Sequence, residues 1–190
     1  GERDWREQIH FGREEEAAAG EAYDRLRGPN RWPQDAGWRA ELLALLADMD
    51  QAARDVLQRL WYAGVDEHGY QLLKLIRYHA AEAAARPGVA AHVDFSWITL
   101  LLQDDAGGLE IRTPEGEWVA APRRAGAVLV TLGEILEYTS GGEFRATPHR
   151  VTAGARGRIS IPYFLNPALD TVLGPGRWRT APKAEGEHVH

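Results

Sequence analysis

The hydrophobic positions in the middle of the chain follow a helical repeat. Between residues 37 and 62 they recur every three or four residues, which is the spacing of one face of an amphipathic helix; they are Leu42, Leu45, Leu46, Met49, Ala53, Val56, Leu57 and Leu60. The pattern predicts a long helix that covers a sheet and ends at residues 64–66. Residues 13–27 are rich in Glu and Ala and favour a second helix ended by Gly28, although its apolar stripe is thin.

After about residue 88 the pattern changes to short apolar runs separated by Gly, Pro and Asp. The runs predict strands at residues 72–78, 91–94, 98–103, 109–112, 117–120, 127–132, 149–151 and 158–164. The turn-forming residues 105–108 and 114–116 predict hairpins. Many short strands at close spacing indicate a sandwich or barrel, and a jelly roll of two facing antiparallel sheets brings distant strands together at one mouth.

The composition is that of an ordinary globular protein. The 190 residues, 44% hydrophobic and 26% charged, suffice for one domain with a sizeable core. We expect an N-terminal loop and helical flank over residues 1–71, the β core over residues 72–170 and a loose C-terminal tail over residues 171–190.

Charge and residue usage narrow the class of partner. A formal net charge of -6 and a pI near 5.7 argue against nucleic acid, because proteins that bind it concentrate Lys and Arg on one face. No apolar run is long enough to predict a membrane span. The absence of cysteine and of an apolar signal core favours the cytoplasm. A small molecule is the expected partner, and the oligomeric state is left open.

Two histidines and one aspartate have the spacing of a metal site. His92 and Asp94 are two residues apart, so in a strand both side chains point to one face. His149 follows much later, from a strand expected to lie alongside. Two histidines and one carboxylate on one face are typical of non-haem Fe(II) oxygenases. The His92–Asp94 pair alone would also fit a surface hydrogen bond.

A second pair of polar residues suits a carboxylate. Arg158 and Ser160 lie two apart on a predicted strand, so a guanidinium and a hydroxyl share one face. Because Arg158 stands among Ile159, Ile161 and Phe164, it is most easily accommodated if its head group has a buried anionic partner.

Taken together and in order, these motifs resemble the isopenicillin N synthase-like branch of the Fe(II)/2-oxoglutarate dioxygenases. The resemblance is dense over residues 72–167 and rests on residues 92–94, 98–109, Trp118, 126–133, 140–142, 147–151 and 158–160. It implies a double-stranded β-helix (jelly-roll, cupin-like) core with flanking helices, so that the expected class is mainly β with flanking α. It assigns metal binding to His92, Asp94 and His149. It assigns the distal carboxylate of 2-oxoglutarate to Arg158 and Ser160, with Tyr78 also touching the co-substrate.

The resemblance also implies a reaction. An Fe(II)- and 2-oxoglutarate-dependent oxygenase uses O₂ to hydroxylate, desaturate or cyclise a small organic substrate, releasing succinate and CO₂, here in bacterial secondary metabolism. Asp94 supplies the carboxylate that halogenating variants lack, so no halogenation is expected. One alternative is an oxidase of the isopenicillin N synthase or aminocyclopropanecarboxylate oxidase type, which needs no 2-oxoglutarate. The other is a non-catalytic jelly-roll binding module.

The chain also departs from the family in two places. Members usually carry an N-terminal region that completes the sheet, and we expect this chain to start after it. Residues 95–97, Phe-Ser-Trp, replace a smaller stretch that contains glycine, which predicts a narrower or more aromatic pocket beside the iron.

Overall fold

The computed structural model describes residues 6–60, 68–80, 87–152 and 156–174. Its helices are α1 (Ala36–Leu60), α2 (Glu134–Thr139) and a short 3₁₀ helix (Ala22–Leu26). Its strands are β1 (Arg6–Phe11), β2 (Gln71–Tyr78), β3 (Pro87–His92), β4 (Ile98–Gln103), β5 (Leu109–Arg112), β6 (Trp118–Ala120), β7 (Leu129–Leu132), β8 (His149–Thr152) and β9 (Arg158–Leu165).

The strands form two antiparallel sheets. The first has the order β1-β2-β9-β4-β7 and the second has the order β3-β8-β5-β6. Strands that are neighbours in space are mostly distant in sequence, as β2 and β9 are, which is the wiring of a jelly roll rather than of a meander. The fold class is therefore as expected: mainly β, a double-stranded β-helix core with one long covering helix.

Helix α1 covers the outer face of the first sheet. Its buried residues, Leu42, Leu46, Met49, Ala53 and Leu57, recur at the spacing that the sequence predicts and pack with residues of β2, β4 and β9 in one core cluster. Burial of these residues supplies most of the stability of the helix, because an isolated helix is only marginally stable in water. Within the described residues no helix is both long and apolar enough to cross a membrane.

Alternation along the strands separates a helix-side core from the interior between the sheets. On β2, Leu73 belongs to the cluster under α1, whereas Ile76 and Tyr78 belong to a second cluster with Leu101 and Val151. Successive side chains of a strand point to opposite faces, so one sheet supplies both cores. The second cluster lies beside the candidate site.

The helix predicted over residues 13–27 is wrong. Only Ala22–Leu26 is helical, and it is a 3₁₀ turn. The carboxylate of Glu14 instead accepts hydrogen bonds from the side chains of Asn30 (2.7 Å) and Trp32 (3.1 Å). These bonds tie the beginning of the segment to residues 30–32. With a thin apolar stripe, a helix here would have had little surface to bury.

One connection and one edge strand also differ from the sequence prediction. Residues 105–108 do not close a hairpin, because β4 and β5 belong to different sheets and the turn crosses between them; residues 114–116 do close the β5–β6 hairpin. Gly108 has φ +87, and a Cβ there would lie 2.7 Å from the carbonyl oxygen of Thr152, so the crossing needs glycine. Strand β1 pairs with β2 at the edge of the first sheet, within the segment that the sequence predicts as a loop and helical flank.

The ends of two predicted segments lie outside the described residues. The proposed helix end at residues 64–66 and the tail beyond Gly174 both fall there.

Candidate metal centre

The three predicted ligands come together at one mouth of the jelly roll. His92 ends β3, His149 begins β8, and the two residues are direct partners across these strands. The Nε2 atoms of both histidines lie 3.6 Å from Oδ1 of Asp94. One ligand atom from each residue lies within 4.8 Å of the other two, which is close enough for all three to reach one ion.

Asp94 reaches this position by a route that the sequence does not predict. The strand expected over residues 91–94 ends at His92, so Asp94 lies in the turn after β3. The prediction that both side chains leave the same face of one strand is therefore wrong for Asp94. The chain turns there because a later helix holds it.

The beginning of α2 fixes the backbone around Asp94. Its first N–H groups have no partner within the helix and donate outward: Glu134 to the carbonyl of Asp94 (2.8 Å) and Ile135 to the carbonyl of Ser96 (3.2 Å). Gly133 lets the two segments approach, since a Cβ there would overlap the carbonyl oxygen of Ser96. Helix α2 is absent from the sequence prediction, and it is what positions the carboxylate ligand.

Backbone carbonyls orient the two imidazoles. Nδ1 of His92 donates to the carbonyl of Ala90 (2.8 Å), and Nδ1 of His149 donates to the carbonyl of Thr147 (3.0 Å). A carbonyl only accepts, so each Nδ1 carries a proton, and the two Nε2 atoms on the side of Asp94 are the ring atoms left to bind a metal. Metal-binding histidines are commonly oriented in this way.

A threonine orients the carboxylate in the same manner. Oγ1 of Thr99 donates to Oδ2 of Asp94 (2.7 Å), which leaves Oδ1 for the side of the histidines. The hydroxyl of Ser96 lies 3.2 Å from the same Thr99 oxygen. The sequence prediction lacks Thr99, although a hydroxyl residue inside the apolar run at residues 98–102 is an available signal.

Burial and charge suit a divalent ion. Asp94 is buried and the side chain of His149 is 12% exposed, while that of His92 is 40% exposed. Burial lowers the pKa of His92, which favours the neutral imidazole that a metal requires. Two imidazole nitrogens and one buried carboxylate oxygen form a donor set that would fit Fe(II).

Arg158, Ser160 and Tyr78 lie together deeper in the same interior. Arg158 and Tyr78 are opposite each other on β9 and β2, and the guanidinium carbon lies 5.0 Å from the centre of the Tyr78 ring. Nη2 of Arg158 lies 3.4 Å from both Oγ of Ser160 and Oε1 of Gln103. All three predicted residues are buried.

The Arg158 guanidinium has unused donors. Its Nε and Nη1 are buried and have no hydrogen-bond acceptor within the described part of the chain. Burial lowers the pKa of Arg158, but an arginine in a protein stays protonated. A buried cation with two unpaired N–H groups is costly unless an anion joins it, so this arrangement fits a ligand carboxylate.

One cavity of about 680 Å³ connects the two clusters. His92, Asp94, His149, Arg158 and Ser160 all line it, and apolar residues from both sheets form most of its walls. This volume is typical of small-molecule sites. Of the two aromatic residues after Asp94, Phe95 lines the cavity and is 71% exposed, whereas Trp97 turns into the core under α1.

The part of the chain that carries both clusters matches a known protein family. A family model described as the 2OG-Fe(II) oxygenase superfamily matches residues 69–167. A feruloyl CoA ortho-hydroxylase of Ipomoea batatas is 43% identical over 90 residues, which are 46% of this chain and 25% of the relative. The matched region thus spans about a quarter of the length of this curated relative.

Solved structures extend the likeness beyond the matched motifs. A Neurospora crassa protein, solved in complex with alpha-KG and thymine, has a TM-score of 0.80 and 25% identity, covering 100% of this chain and 62% of its own. The dioxygenase for auxin oxidation 1 of Arabidopsis thaliana, in complex with 2-oxoglutarate, has a TM-score of 0.68 and 26% identity, covering 74% of this chain and 57% of its own.

Proposed function

The chain belongs to the 2OG-Fe(II) oxygenase superfamily, and from that premise we propose that it uses Fe(II), 2-oxoglutarate and O₂ to oxidise a small organic substrate. The observation that carries the proposal is the single cavity that joins a two-histidine, one-carboxylate cluster to a buried arginine with unpaired donors. Each cluster alone would also fit a purely structural role. Their junction in one small-molecule cavity fits a metal and a chelating acid bound side by side.

The proposed ligands of Fe(II) are His92, Asp94 and His149. When bound, Fe(II) would supply the redox chemistry that couples decarboxylation of 2-oxoglutarate to succinate and CO₂ with oxidation of the substrate. The protein contributes orientation, since the carbonyls of Ala90 and Thr147 and the hydroxyl of Thr99 turn the three ligand atoms toward one point. The apolar walls contribute the exclusion of water.

The proposed site for the distal carboxylate of 2-oxoglutarate is Arg158 with Ser160. The guanidinium offers two N–H donors, and a carboxylate accepts such a pair in bidentate fashion. Tyr78 lies against the guanidinium, with its ring centre 5.0 Å from the guanidinium carbon. Electrostatic attraction in a buried site is strong, so this contact would orient the co-substrate along the cavity.

The proposed substrate is a small molecule, and the proposed reaction is a hydroxylation. Support comes from the relatives, which include a hydroxylase of feruloyl CoA, a protein crystallised with thymine and a dioxygenase for auxin oxidation. The cavity volume of about 680 Å³ also lies within the range of small-molecule sites.

An anaerobic titration tests the proposal without knowledge of the substrate. Fe(II) and 2-oxoglutarate are added singly and together, and the visible absorption band of the Fe(II)–2-oxoglutarate chelate is followed. The band is expected only when both are present with wild-type protein, and not with His149→Ala. Wild-type protein that gives no band contradicts the proposal. Succinate formed in step with O₂ uptake then separates this activity from that of a 2-oxoglutarate-independent oxidase.

A further inference from the structure

A second cation lines the cavity apart from Arg158. Lys74 lies on β2, on the same face as Leu72, Ile76 and Tyr78, all of which line the cavity. The side chain is half-buried, and its ammonium nitrogen lies 4.6 Å from the centre of the Phe164 ring. A lysine that is partly buried usually has a partner of opposite charge, so the position of Lys74 needs an explanation.

Lys74 is too far along the strand to share the ligand of Arg158. Tyr78 is the cross-strand partner of Arg158, and Lys74 precedes it by four residues, or about 13 Å of strand. A five-carbon diacid bound at Arg158 by one end and at the metal by the other has no carboxylate left for Lys74. Under the proposed function, a ligand of Lys74 is therefore a different molecule.

The surroundings of Lys74 favour an anion. Within the described residues Lys74 has no ion pair with a carboxylate, and its aromatic contact is with Phe164. Burial lowers the pKa of Lys74, and the charge of Arg6, which also lines the cavity, lowers it further; Asp94 acts in the opposite direction. A bound anion would offset both the burial and the repulsion between the two cations.

The wall of the cavity that Lys74 lines favours an apolar body attached to that anion. Phe164 lies against the ammonium group, and Phe95 stands 71% exposed on the cavity wall directly after Asp94. Exposed aromatic side chains on a cavity wall supply stacking surface for a ligand. A charged head and an aromatic or aliphatic body would thus meet complementary groups at the same time.

Resting on the proposed function, we propose that the primary substrate is a carboxylate with an apolar or aromatic body, and that Lys74 binds its acid group. Lys74 is then a specificity-determining residue, because the position of the acid decides which carbon of the substrate faces the metal. The ammonium group acts as a compact point charge with three donors, which suits a single carboxylate.

The test compares an acid with its uncharged amide. Two pairs serve as probes: 3-phenylpropionate with 3-phenylpropanamide, and 4-phenylbutyrate with 4-phenylbutanamide. Binding is measured by calorimetry, without O₂, on protein saturated with Fe(II) and 2-oxoglutarate. Wild-type protein is expected to bind the acid of at least one pair about tenfold to a hundredfold more tightly than the amide, the range of a charge-assisted hydrogen bond.

Variants assign that preference to Lys74. Lys74→Met is expected to bring the ratio of the two affinities close to one, with Lys74→Gln as a second neutral variant if the first lowers the melting temperature. Lys74→Arg keeps the charge and is expected to keep most of the preference. The matched control is Arg77→Met, which removes the same charge from an exposed position on the same strand and is expected to leave the ratio unchanged.

Three outcomes would overturn the inference: no acid preference in wild type for either pair, a preference that persists in Lys74→Met, or a loss of 2-oxoglutarate affinity in Lys74→Met in place of a loss of acid affinity. The chelate band is read in the same samples. Its absence from wild type counts against the proposed function, whereas its presence without an acid preference counts against Lys74 alone.

Discussion

The guanidinium of Arg158 lies 5.0 Å from the centre of the Tyr78 ring, and the two residues face each other across β9 and β2. The ring covers one face of the cation, while two N–H groups at its edge remain without acceptors in the described part of the chain. The pair therefore leaves the edge of the guanidinium open to a planar anion.

Arg158→Ala is expected to weaken the binding of 2-oxoglutarate by about a hundredfold to several thousandfold. A carboxylate left unpaired in a buried site costs about 3–5 kcal/mol. The anaerobic titration of the chelate band measures the change directly. Arg158→Lys keeps the charge but lacks the paired donors of a guanidinium, so its affinity for 2-oxoglutarate should lie between those of wild type and Arg158→Ala. A titration curve that does not move in Arg158→Ala would show that the co-substrate lies elsewhere.

Tyr78 contributes through its ring. Tyr78→Leu is expected to weaken 2-oxoglutarate binding by about threefold to thirtyfold, because a cation–π contact at a desolvated site is worth about 0.5–2 kcal/mol. Tyr78→Phe keeps the ring and should bind within about twofold of wild type. The same titration distinguishes the variants. If Tyr78→Phe lost as much 2-oxoglutarate affinity as Tyr78→Leu, the hydroxyl and not the ring would be responsible. That result would support direct contact between the hydroxyl and the co-substrate.

Thr99→Val is expected to lower the affinity for Fe(II) by about tenfold to a hundredfold, as is common when a group that orients a metal ligand is removed. Valine has nearly the shape of threonine but cannot donate to Oδ2 of Asp94. Thr99→Ser retains the donor and serves as the control. Competition with a calibrated Fe(II) chelator gives the affinities. Equal affinities for Thr99→Val and wild type would mean that Asp94 needs no such support.

Gly133→Ala tests whether α2 positions the metal ligand. The added Cβ would overlap the carbonyl oxygen of Ser96, so the turn after β3 must move away from the helix. We expect a loss of about 1–3 kcal/mol in the free energy of unfolding, typical of overpacking, together with weaker Fe(II) binding. The control is Gly174→Ala, where a Cβ would meet nothing within 4 Å. Normal Fe(II) affinity in a folded Gly133→Ala protein would contradict this role.

What the sequence can predict depends on whether burial leaves a repeating pattern. Strand β4 has the ends that the sequence predicts, because residues 98–102 form an unbroken run, apolar apart from Thr99, that is packed on both faces. The buried stripe of α1 is equally plain. Strand β1 escapes prediction because it is an edge strand with four exposed residues in succession, so it carries little hydrophobic signal.

The candidate site also has features that the sequence predicts and features that it does not. Spacing and order along the chain are enough to name the three proposed ligands and the Arg158–Ser160 pair. They place Asp94 wrongly in detail because a helix about forty residues later determines its position, and that helix has only six residues. Lys74 escapes prediction because an alternating polar residue on a strand normally faces solvent. Only the closing of the second sheet over that face makes it part of a cavity.

The hydrogen bond from the Glu134 amide to the Asp94 carbonyl makes the first turn of α2 a reporter of metal occupancy. An ion bound to the Asp94 carboxylate would also restrain the backbone of Asp94, whose carbonyl accepts the hydrogen bond from Glu134. Local opening at the Glu134 and Ile135 amides should therefore become rarer. Hydrogen–deuterium exchange at these two positions is expected to slow when Fe(II), or an inert divalent substitute, is added. Exchange rates there that ignore the ion would show that the helix and the ligand move independently.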